Sequence, residues 1–117
     1  MKRNEARELA FKTIYSRFFN PSIELDEEIT GFAENVINSY IQHTEEVNEA
    51  ISSKLKGYTL DRLYKIDLAI IILAVVEVRY LETPKPVAIN EAVELAKKYS
   101  TDKSPKFING LLAEILN

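Results

Sequence analysis

Residues 87–115, Val87-AINEAVELAKKYSTDKSPKFINGLLAE-Ile115, decide how this chain folds. Ile89, Ala92, Val93, Ala96 and Tyr99 fall at i, i+3, i+4, i+7 and i+10, one apolar stripe of an α-helix. Phe107, Ile108, Leu111, Leu112 and Ile115 repeat the pattern, so a second helix follows. The joint between them carries Lys97, Lys98, Lys103 and Lys106, with Ser104-Pro105 placed as N-cap and first helical residue. Asn109-Gly110 interrupts the second helix. An interior glycine costs about 1 kcal/mol against alanine, so it marks close packing or the close approach of a partner.

Working outward, the chain reads as helical throughout. Only 3 Gly and 4 Pro occur in 117 residues, which means few turns and long elements. Met1–Phe19 predicts a first helix, with Ala6, Leu9, Ala10 and Ile14 turned inward. A break at Asn20-Pro21-Ser22 precedes a helix over about Asp26–His43, striped by Ile29, Phe32, Ala33, Val36, Ile37, Tyr40 and Ile41. Thr44 is placed to cap a short helix that stops at Gly57, and Thr59 to cap a helical turn before Asp67. Residues 68–76 are apolar all round, the pattern of a central helix enclosed by the others. That run is about half the ~20 residues a membrane span needs. The expectation is an all-α fold of six or seven helices in two small bundles, about 1–57 and 58–117, in one domain.

Charge is unevenly spread. Residues 1–20 hold five Lys/Arg against two Glu, a net of +3; residues 21–49 hold eight Asp/Glu and no Lys or Arg; the remainder has a net of +2. Two basic ends flank an acidic middle, and phosphate recognition depends on the local patch rather than on the total of −3. If the ends meet, Lys2, Arg3, Arg7, Lys12, Lys98, Lys103 and Lys106 form one patch, with Tyr15, Tyr99 and Phe107 as stacking rings. Phe11 and Tyr15 equally suit a core, with the arginines on a solvated helix end.

Catalytic chemistry finds little support. The absence of Cys removes thiolate metal sites and cysteine nucleophiles, and fits a reducing cytosol. His43 is the lone histidine and reads as a surface or capping residue. No Gly-rich phosphate loop, nucleophile elbow or HExxH is present. No signal-peptide pattern opens the chain, so a cytoplasmic, non-enzymatic protein with no cofactor and no metal is expected.

The run VAINEAVELAKKYSTDKSPKFINGLL resembles the signature of the NusB family of bacterial transcription antitermination factors. ARELAFKTIY near the N-terminus and LDRLYKIDLAIIILAVVEV in the centre resemble that family too, in its order and spacing. The resemblance implies a two-part helical fold and a non-enzymatic factor. With the ribosomal protein NusE, such a factor binds the single-stranded boxA element of nascent ribosomal RNA and acts on RNA polymerase for antiterminated transcription. It also implies RNA contacts at Arg3 and Arg7 with Lys2, at Tyr15 and Tyr99, at Lys103 and Ser104 before the last helix, and at Lys106, Phe107 and Asn109 within it. Glu77 matches a family glutamate and is assigned to the NusE surface.

Some positions depart from the family pattern. Asn4 and Glu5 stand where relatives carry further basic residues, and Leu68 and Ile72 where arginines are common. If exposed, Leu68 and Ile72 would make a sticky patch favouring self-association, and a homodimer is one possible state. Two rival readings follow: a protein-binding helical adaptor without RNA recognition, and a detached RNA-binding module of a ribosomal RNA cytosine methyltransferase.

Overall fold

The structure, a computed structural model, describes residues Met1–Asn117. Six α-helices follow one another with no strand: α1 (Arg3–Phe19), α2 (Gly31–Gln42), α3 (Thr44–Ser52), α4 (Lys65–Tyr80), α5 (Lys85–Tyr99) and α6 (Ser104–Ile115). A single 3₁₀ turn at Leu60–Arg62 precedes α4.

The all-apolar run does form the centre. Every residue from Asp67 to Glu77 is buried, and α4 packs against all five other helices. Because α4 is shared, one continuous core of 30 residues serves both halves of the chain. No helix is long and apolar enough to cross a membrane. Leu68 is only 8% exposed and Ile72 is fully enclosed, so the sticky patch expected from them does not exist. At these two positions the chain extends its core.

Several helix ends differ from the periodicity reading. The second helix begins at Gly31 rather than near Asp26. Extended Thr30 and the left-handed φ of +56° at Gly31 break the backbone just before it. Residues 26–29 instead form a turn in which Asp26 accepts from the amides of Glu28 and Ile29. Thr44 does not cap α3: its hydroxyl donates to the Tyr40 carbonyl at 2.6 Å, tying α3 back onto α2. Gly57, at φ +84°, lies five residues past the end of α3. His43 bonds Glu46 at 2.7 Å and stacks on Tyr80 with ring centroids 4.1 Å apart, a structural role.

Candidate nucleic-acid interface

α1 does meet the α5–α6 joint, though through residues other than the two arginines. Phe11 packs on Tyr99 with ring centroids 5.3 Å apart. The Tyr99 hydroxyl donates to Glu8 at 3.0 Å, and the Lys98 ammonium bonds the same carboxylate oxygen. Lys12 and Lys98 both stand near the Tyr99 ring, at 5.2 and 5.3 Å from its centroid, within cation–π range. The lysine hydrogen bond first, then the tyrosine hydroxyl, hold the Glu8 carboxyl below the ordinary range against the opposing pull of burial. The same bond raises the Lys98 ammonium. The edge extends down α1. The ring of half-buried Tyr15 lies 6.4 Å from Phe18 and 5.2 Å from Phe19, and Lys65 of α4 stands 5.9 Å from the Phe18 centroid.

Arg7 requires a correction. Its side chain is 7% exposed, and its guanidinium bonds both carboxylate oxygens of Glu77 at 2.9–3.0 Å. Thr83 adds a hydroxyl bond to Glu77 at 3.1 Å. Two residues assigned to different partners, Arg7 to RNA and Glu77 to NusE, are therefore spent on each other. Glu77, 1% exposed, offers no surface to a second protein. Burial of this pair is tolerable because the fork-shaped guanidinium satisfies the carboxylate in full. Arg3 stays exposed but turns to α2, with its guanidinium 4.2 Å above Phe32. Lys2 is exposed at the start of α1.

Ser104 is likewise corrected. It is the first residue of α6 rather than its cap, is 2% exposed, and points inward. Its hydroxyl donates to Asp67 at 3.1 Å, Ser100 donates to the other oxygen of that carboxylate at 2.5 Å, and Thr101 joins the network at 2.7 Å. Asp67, buried in the first turn of α4, thus fixes the joint that carries Tyr99 and Lys103.

Lys103, just before α6, and Lys106 and Asn109 within it are exposed. Phe107 is half-buried against the core, so only part of its ring is open. Asn109 and Phe107 fall on different sides of Lys106. Asn109 faces a groove shared with α5, whereas Phe107 and Gly110 face the loop after α3. Of the site residues, Lys12 and Tyr99 are brought together; Tyr15 lies one turn on from Phe11 along α1, and exposed Lys103 and Lys106 follow Tyr99 at the start of α6. Sequence reasoning missed Glu8, Phe18, Phe19, Lys65 and Asp67 in this setting. Nothing local in the chain signals that α1 and α4 converge there.

These features define a small all-α protein with a basic, aromatic edge where its first helix meets the joint of its last two. The NusB family model matches residues 4–117, and the chain belongs to the NusB family. The transcription antitermination protein NusB of Pediococcus pentosaceus is 38% identical over 129 residues, which cover 98% of this chain and 97% of that one. Among solved structures, T. maritima NusB superposes with a TM-score of 0.87 at 29% identity, covering 98% of this chain and 90% of the other. A crystal structure of the antitermination factors NusB and NusE with double-stranded RNA contains a chain of the same fold (TM-score 0.84, 24% identity, 97% and 94% covered).

Proposed function

We propose that this protein is a transcription antitermination factor that binds the single-stranded boxA element of nascent ribosomal RNA together with NusE, without catalysing a reaction. The observation that supports this reading most is the edge formed by Lys12, Tyr15 and Tyr99, continued by Lys103 and Lys106. It offers ammonium groups for phosphates and rings for unstacked bases, the combination single-stranded nucleic acid requires. Family membership and the name carried by its relatives point the same way. NusE is the partner that the family resemblance implies.

Within this reading Lys12, Lys103 and Lys106 meet phosphates, and Tyr15 and Tyr99 stack on bases. Lys2, Arg3 and Asn109 are available at the ends of the same surface, and Phe107 contributes its open edge. Arg7, Glu77 and Ser104 act behind the surface as positioning residues.

Fluorescence anisotropy with boxA RNA, with and without NusE, tests the proposal. The expected result is sequence-selective binding that strengthens with NusE. Tyr99→Ala should weaken it by about fivefold or more, the loss of one base stack. Lack of selectivity in both conditions sinks the reading and leaves the adaptor alternative standing.

A further inference from the structure

Gly110 is unexplained by the fold. It sits inside α6, exposed, and a β-carbon built there meets no atom within 4 Å. Packing within the chain therefore does not demand glycine, although glycine weakens a helix. Gly110 lies instead along a trough between α6 and the loop that follows α3. Lys54 and Lys56 stand on the loop side, with the partly exposed Tyr58, and Lys106 and Phe107 stand on the helix side. None of these three lysines takes part in an ion pair, and Glu114 is the only carboxylate in the lining.

Lys103, at the N-cap, and Lys106, Phe107 and Gly110 within α6 recur at i, i+3, i+4 and i+7, one line along the helix. The line begins four residues past Tyr99 and reaches the trough after about 10 Å of helix rise. From this we infer that the trough is a second RNA subsite, which takes one further nucleobase and its flanking phosphates from the strand bound at the Lys12–Tyr99 edge. The inference rests on the RNA-binding reading above. Beyond Lys106 and Phe107 of the first surface, Lys54 and Lys56 add two unpaired ammonium groups for phosphates, Tyr58 adds ring surface, and bare backbone at Gly110 permits close approach of a flat base. The trough, about 310 Å³, has room for a flat base against its floor.

The test uses the full chain with NusE and three RNAs: the boxA core, and the core lengthened by several nucleotides on the 5′ or on the 3′ side. One lengthened RNA should bind about fivefold or more tightly than the core. The double variant Lys54→Ala/Lys56→Ala should abolish that gain and make the salt slope shallower by about 1.4, while binding the core as before. Gly110→Ala should move two readouts in opposite directions. Its melting temperature rises by a few degrees, because alanine favours helix, and its affinity for the lengthened RNA falls severalfold. Equal binding of all three RNAs by the unmodified protein overturns the subsite. So does Gly110→Ala binding the lengthened RNA unchanged. If no RNA binds the unmodified protein at all, the proposed function falls and takes the subsite with it.

Discussion

At the scale of single residues, chemistry divides side chains that look alike in the sequence. Arg7 and Lys12 lie five residues apart on one basic helix, yet Arg7 is locked inside against Glu77 and Lys12 stands open beside Tyr99. Truncating Arg7 leaves a buried carboxylate without its counter-charge. Arg7→Ala should therefore cost about 3–5 kcal/mol in chemical denaturation, whereas Lys12→Ala should change stability little and lower RNA affinity. A loss under about 1 kcal/mol for Arg7→Ala would mean that Glu77 finds water and that the pair is not a clasp. Glu8 works in the other direction, because it masks Lys98 on the proposed edge. Its carboxyl is depressed in the folded state, so its stabilising share is present above the unfolded pKa and is lost as pH falls through the folded value. Carboxyl NMR should show Glu8 titrating below the ordinary glutamate value. Glu8→Gln, which frees Lys98, should tighten RNA binding at neutral pH; weaker binding would show that Glu8 orders the edge more than it masks it.

At the scale of helices, periodicity was a sound guide where burial is one-sided or complete. The apolar run 68–76 specified a central α4, and the stripes of Val87–Ile115 specified the α5–α6 pair, because both patterns follow from which faces leave water. Helix ends were less legible, since they depend on backbone angles such as Gly31 at φ +56° that residue spacing does not encode. The candidate site was legible in its exposed lysines and its Tyr99, which mark themselves by charge and position. Arg7, Glu77 and Ser104 were not: their partners lie 70 and 37 residues away, and only the fold shows that their polar groups are already spent. Asp67 makes the consequence testable. By accepting bonds from Ser100 and Ser104, it ties the first turn of α4 to the joint that presents Tyr99 and Lys103. Ser104→Ala removes one of those bonds and should cost about 1–3 kcal/mol, the penalty for under-satisfying a buried polar group. RNA affinity should fall with it, although Ser104 touches no ligand. A destabilised variant with unchanged RNA affinity would show that the joint holds its shape without Asp67.

At the scale of the whole molecule, the net charge of −3 and the basic edge are reconciled by where the acidic segment lies. Residues 21–49 carry eight carboxylates, and two of them, Glu24 and Asp26, border a groove with Lys12 and Ser16 on the flank of α1. The start of the acidic segment therefore lies beside the Lys12 end of the proposed RNA edge. With Lys98 held by Glu8, Lys12, Lys103 and Lys106 can neutralise about three phosphates, which predicts a plot of log affinity against log salt with a slope near −2, at about −0.7 per phosphate. The neighbouring carboxylates repel the same strand without touching it, through a field screened over about 10 Å at 0.1 M salt and about 3 Å at 1 M. Replacing Glu24 by Gln and Asp26 by Asn should thus tighten binding severalfold in dilute buffer, and the gain should shrink towards nothing as salt approaches 1 M. A gain that persisted at high salt would point to altered packing of the 24–29 turn on α1. No gain at low salt would mean that RNA leaves the edge before reaching Lys12, and would confine the interface to the joint and α6.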